Sequence, residues 1–147
     1  MSLRHYPAIA HEHGDLRHEL TSFAMVLNAA NCPPPGHAFH QVLGAIVAYF
    51  DHDLPAHVEE EERDYYPLLA GAVSPAHIAR MREQHQAMLV MAQMFGRQHQ
   101  AFVEAATEQA WAELRHIGKR LVDAIRQHLD FEEAILGQTA PHGPPHL

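Results

Sequence analysis

The sequence predicts an all-α fold, an antiparallel up-down-up-down bundle of four helices, and three observations carry that prediction. Apolar residues recur at steps of three and four through four long segments. Proline- and glycine-bearing breakers separate most of these segments. A trio of His, His and Glu occurs once in each half of the chain at nearly equal spacing.

The first segment, roughly residues 8 to 31, carries the stripe Ile9, His13, Leu16, Leu20, Phe23, Leu27. It ends in Asn31-Cys32-Pro33-Pro34-Pro35-Gly36, where successive prolines remove backbone donors and stop a helix. The second, 37 to 69, carries Leu43, Val47, Phe50, Leu54, His57, Glu61 and Leu68. Pro55 predicts a kink within it, two residues before His57. A turn from Gly71 to Ser74-Pro75 follows, with Ser74 suited to cap and Pro75 to open the next helix. The third segment, 75 to 104, carries Ile78, Met81, His85, Met88, Ala92 and Phe95. Met81, Met88, Met91 and Met94 are expected to fill the bundle interior, since their spacing follows the stripe. A weaker break at Ala105-Ala106-Thr107 leaves Thr107 to cap the fourth segment, 107 to 136, with Trp111, Leu114, Gly118, Leu121, Ile125, His128, Glu132 and Ile135.

A chain of 147 residues is one ordinary domain, long enough to bury a core without disulfides. The bundle is expected over 1–137, followed by a Pro/Gly-rich tail, 138–147, that reads as disordered. A formal charge of −8 argues against nucleic acid as a partner, because phosphate binding needs a cationic face. The single cysteine, Cys32, excludes an intramolecular disulfide and a thiolate zinc cluster. No apolar run approaches the roughly 20 residues that span a bilayer, and no signal-peptide pattern opens the chain, so a soluble, cytoplasmic protein is expected.

The repeated trio is the strongest functional signal. Position 13 maps onto 85 with an offset of 72, while 57 maps onto 128 and 61 onto 132 with an offset of 71. The six candidate metal ligands are therefore His13, His57, Glu61, His85, His128 and Glu132, all on inward stripes. A His or Glu buried without a partner would cost several kcal/mol, and a metal supplies that partner. Imidazole and carboxylate donors suit first-row divalent metals, which points to a pair of irons. In a bundle with short loops, residues equidistant from a turn share a height. The midpoint of His13 and His57 is position 35, that of His57 and His85 is Gly71, and that of His85 and His128 falls between Ala106 and Thr107. All three lie on expected turns, so the four histidines should meet at one level. Each glutamate, four residues after its histidine, shares that face and is placed to bridge two metals.

These motifs, Glu12-His13 and Gln84-His85 with His57-Val-Glu-Glu-Glu61-Glu62 and His128-Leu-Asp-Phe-Glu132-Glu133, resemble the hemerythrin-like, or HHE cation-binding, family. Tyr65-Tyr66-Pro67-Leu68-Leu69 is similar to the family's aromatic-Pro-Leu ending of the second helix. The resemblance covers about residues 5 to 137 and implies a non-haem diiron centre with bridging carboxylates and an oxo or hydroxo group. It departs from the oxygen carriers, which place a His-x-x-x-His pair on the third helix; here Met81 and Leu89 flank His85 at that spacing. The ligand pattern is similar to that of diiron proteins linked to repair of iron centres.

What the resemblance implies is binding of, or reaction with, O2, NO or peroxide, for sensing, storage or iron handling. An oxidase, scavenging or repair enzyme served by a separate reductase stands as the alternative, with a structural zinc bundle or a ferritin-like one behind it. Within the site, His11 and His18 compete with His13, and Glu60 is an additional candidate ligand beside Glu61. Glu62 is placed outside the ligand set, on a solvated run from Glu59. Phe23, Phe50, Leu54, Leu129 and Tyr65 are expected to form an apolar pocket beside the metals. Tyr6, Tyr65 and Tyr66 are candidates to hydrogen-bond a bound ligand, with core packing the expected role of two of them. His37, His40, His52, His77, His99 and His116 are read as surface or satisfied polar groups.

Overall fold

The computed structural model describes the backbone over residues 5–28 and 36–139, and side chains over 12–28 and 36–137. Four long helical stretches occupy the expected segments, and no strand occurs among the described residues. They are His5–Asn28, a second helix spanning 37–69, Pro75–Glu104 and Glu108–Thr139. The last runs three residues past its expected end and takes in the first two residues of the expected tail. The proline run at 33–35, Cys32 and the end of the tail lie outside the described residues, as do the side chains of Tyr6, Ile9 and His11.

Local chemistry explains the boundaries. Ser74 Oγ accepts the His77 N–H at 3.3 Å, and Thr107 Oγ1 accepts the Ala110 N–H at 3.0 Å, so both expected caps form. Gly71, with φ +90°, turns the chain between the second and third helices in a conformation that side chains disfavour.

The second helix is where sequence and structure differ most. Instead of a simple kink at Pro55, it contains two π-helical turns, Tyr49–Asp53 and Glu61–Tyr65. In the first, the Leu54 N–H reaches the carbonyl of Tyr49; in the second, the Tyr66 N–H reaches that of Glu61. Each wide turn directly precedes an X-Pro pair, Leu54-Pro55 and Tyr66-Pro67. A proline has no N–H and its ring crowds the carbonyl four residues back, so widening the preceding turn relieves both problems. The extra residue shifts the helix phase. Leu69, not Leu68, therefore reaches the core, and Ile46 is fully buried where Val47 was expected.

Cross-helix contacts run in opposite directions along neighbouring helices, which makes the bundle antiparallel. His13 meets His57 and Phe23 meets Phe50 between the first and second helices. Glu61 meets His85 while His40 stacks on Phe102 between the second and third. Between the first and fourth, Arg17 binds Asp130 and Arg115 caps the carbonyl of Leu27. Gly118 permits the close approach there, since a Cβ would lie 2.9 Å from both Leu27 and Phe95. No described helix is long and apolar enough to cross a membrane.

The core divides into two apolar clusters. The larger contains Leu20, Phe50, Phe95, Phe102, Trp111 and Leu121 among others, and the smaller contains Tyr65, Tyr66, Leu69, Met81 and Ile135. Of the four methionines assigned to the interior, Met81 and Met88 are buried and Met91 is half-buried. Met94 is 38% exposed, because it lies on the flank of the third helix rather than its inward stripe.

Candidate metal centre

A polar layer separates the two apolar clusters. Its buried members are His13, Glu61, His85, His128 and Glu132, each at most 2% exposed. His57 completes the layer with its side chain 15% exposed. All six expected residues therefore converge, one His per helix and one Glu on each even-numbered helix.

The histidines form two pairs. Ring centroids of His13 and His57 are 5.7 Å apart, and those of His85 and His128 are 4.4 Å apart. Both carboxylates touch both pairs. Glu61 Oε2 lies 3.2 Å from His13 Nε2, and its Oε1 lies 3.3 Å from His57 Nε2 and 3.1 Å from His85 Nε2. Glu132 Oε1 lies 2.8 Å from His13 Nε2, and its Oε2 lies 3.3 Å from His128 Nε2. Potential ligand atoms fall into two groups, His13/His57/Glu61 and Glu61/His85/His128/Glu132, with the atoms of each group within 4.8 Å of one another. Glu61 belongs to both groups, the arrangement a bridging carboxylate requires.

Two of the inward-facing imidazoles also hydrogen-bond through their outer nitrogen. His85 Nδ1 lies 2.7 Å from Glu62 Oε2, and His128 Nδ1 lies 2.7 Å from Gln84 Oε1. These oxygens only accept, so in each neutral ring Nδ1 carries the proton and Nε2 presents its lone pair inward. On the other side the approaches are longer, 3.4 Å from His13 Nδ1 to Glu133 and 3.7 Å from His57 Nδ1 to Glu12. The pattern is cyclic. Glu12 and Gln84, each preceding a ligand histidine, serve the next helix's histidine. Glu62 and Glu133, each following one of the two buried glutamates, face His85 and His13. Arg17 holds Glu133 in turn, at 2.9 Å.

Buried lone pairs face one another at the centre. Nε2 of His57 and Nε2 of His128 are buried without a hydrogen-bond partner. Such atoms are costly unless something positive lies between them. Burial opposes protonation of His13, but hydrogen bonds and attraction from Glu132 and Glu61 outweigh it and push its pKa up to about 10. His85 is likewise raised against burial by Glu61 and Glu62. Burial would raise Glu132, yet His128 and His13 hold it well below the usual carboxylate range. The layer thus has the electrostatic character of a cation site, and its nitrogen and oxygen donors fit a first-row metal.

The family model for the hemerythrin HHE cation-binding domain matches residues 4–140. The chain belongs to the hemerythrin HHE family. No curated protein and no solved structure gives a significant match to it. Membership carries cation binding with it, and among the described residues the His/Glu layer brings together groups that could hold metal.

The structure also places some of the alternatives, while the His11 side chain lies outside the described residues. His18 is exposed, so it does not replace His13 among the described side chains. Glu60 is exposed and points away from the layer, because at three residues from His57 it falls off the inward face. The expected pocket is not one cavity. Phe23, Phe50, Leu54 and Leu129 fill space in the larger apolar cluster, whereas Tyr65 packs in the other cluster across the polar layer. Of the two candidate tyrosines whose side chains are described, Tyr65 and Tyr66, it is Tyr66 that enters the site, its hydroxyl donating to Glu132 and lying 3.2 Å from His85 Nε2; the Tyr6 side chain lies outside the described residues. His37, His40, His52 and His116 are exposed, and His77 and His99 half-buried, away from the layer. The outer partners Glu12, Glu62, Gln84 and Glu133 were not assigned from sequence; the repeated Glu-His, Gln-His and Glu-Glu dipeptides were the available signal.

Proposed function

We propose that this chain is a non-haem diiron protein that binds or reacts with O2, NO or peroxide. One observation carries the reading: two buried histidine pairs share both of the buried carboxylates, Glu61 and Glu132. His13 and His57 would hold one iron, and His85 and His128 the other, with the two glutamates common to both. A pair of irons so held supplies redox and Lewis-acid chemistry toward a small oxygen- or nitrogen-containing ligand.

The residues around it define what the protein itself contributes. Glu62 and Gln84 fix two of the imidazoles with Nε2 inward, so little reorganisation accompanies metal uptake. The apolar clusters on either side exclude water, which favours small, weakly polar ligands over charged metabolites. Electrons would come from a separate reductase if turnover occurs.

Mixing the reduced, iron-loaded protein with O2 in a stopped-flow instrument tests this. A reversible adduct indicates binding for sensing or storage, and rapid irreversible oxidation indicates an enzyme or scavenger. Absence of any spectral change with O2, NO and peroxide alike would contradict the proposal.

A further inference from the structure

The two halves of the centre are not equivalent, and three independent features separate them. Tyr66 is 1% exposed, its ring stacked on His85 at 5.5 Å between centroids and 8° between planes. Its hydroxyl touches both Glu132 Oε2 and His85 Nε2, the same atoms that face the His85/His128 position. No comparable phenol touches the His13/His57 pair among the described side chains. The outer partners of His85 and His128 are at 2.7 Å, whereas those of His13 and His57 stand at 3.4 and 3.7 Å. Exposure singles out one histidine of the first pair: His57 is 15% exposed, against 1% for His13, 0% for His85 and 2% for His128.

The second π-helical turn explains how Tyr66 reaches this place. In an uninterrupted α-helix the residue four after Glu61, Tyr65, would stand one turn above it. The wide turn, closed by the Tyr66 N–H on the Glu61 carbonyl, brings the fifth residue onto that face instead. Pro67 keeps the wide turn in place, since it cannot supply a regular helical hydrogen bond.

We propose that Tyr66 is a further metal ligand on the His85/His128 side, so that the exogenous small molecule is taken on the His13/His57 side. The inference rests on the diiron reading above. On binding ferric iron the phenol O–H bond breaks, an iron–oxygen bond forms, and the proton leaves to solvent; no electron is transferred. One position then has an additional oxygen donor and rigid imidazoles, and the other keeps looser imidazoles and the partly open histidine.

The test uses the full, iron-loaded ferric chain. Wild type should show a visible phenolate-to-iron charge-transfer band, with phenolate ring modes in resonance Raman excited within it. Tyr66→Phe should lose the band and modes while remaining helical, and Tyr49→Phe should keep them. Azide, used as the exogenous probe, should bind once per iron pair in wild type and a second time in Tyr66→Phe. A wild-type protein that holds the iron pair but lacks phenolate modes overturns the proposal without touching the diiron reading. Identical azide uptake in wild type and Tyr66→Phe would also overturn it. Wild-type protein without iron would defeat both, and if Tyr66→Phe does not fold, the wild-type Raman spectrum alone decides.

Discussion

His85 and His128 each do two jobs, presenting Nε2 to the centre and tethering Nδ1 outside it. Truncating an outer partner should therefore loosen the metal without removing a ligand. Glu62→Ala and Gln84→Ala are each expected to weaken metal affinity about 10–100-fold, as read by competition with a chelator. His57→Ala and His128→Ala should lose metal outright, and His99→Ala should retain it. The metal-free protein has its own pH signature. His13 is raised from 6.5 to about 10, so its contribution to stability is complete below pH 6.5 and is lost as pH climbs through about 10. Glu132, lowered from 4.5, contributes fully above that value and loses its contribution as pH falls through its lowered pKa. The two shifts share the His13–Glu132 pair, so its gain is counted once and is greatest between about 4.5 and 6.5. Urea midpoints of the chelated protein should fall between pH 6.5 and 10, and the fall should shrink in His13→Ala; an equal slope in both would contradict the assignment. The six central residues were legible because the chain states them twice. The roles of Glu62 and Gln84 were not, and Tyr66 was legible only as one of three candidate tyrosines, because these roles depend on helix phase and rotamers that a repeat does not encode.

At the scale of a helix, the two prolines of the second helix matter more than its hydrophobic period suggests. A regular helix would put Leu68 in the core. The π-helical turn at Glu61–Tyr65 puts Leu69 there, 1% exposed, and leaves Leu68 half-buried. Leu69→Ala should therefore cost about 2–5 kcal/mol in chemical denaturation, with Leu68→Ala costing clearly less. Equal losses would show that the phase does not shift. Among the described side chains the other three helices keep their predicted stripes, and none carries a proline beyond its first turn. Caps at Ser74 and Thr107 were legible because a side-chain oxygen at that position has a single local use. Pro55 announced a disturbance but not its form, because a kink and a widened turn both satisfy a missing N–H.

For the whole molecule, a polar layer between two apolar clusters makes stability depend on what lies in the layer. Burying two carboxylates and four imidazoles is costly, and a metal that binds only the folded chain offsets that cost. Ligand linkage gives about 2.7 kcal/mol of added stability at free metal one hundredfold above its dissociation constant. Thermal unfolding should therefore shift upward on iron loading and downward on chelation, and an unchanged transition would mean the layer holds no tightly bound metal. Topology was legible from turn positions alone, because the midpoints between histidines coincide with breaks in the helical pattern. Iron content with absorption spectroscopy on protein expressed in iron-replete medium tests the central claim most directly. A pair of irons per chain with oxo-diiron charge-transfer absorption in the near ultraviolet is the predicted result, and a colourless, iron-free bundle would contradict it.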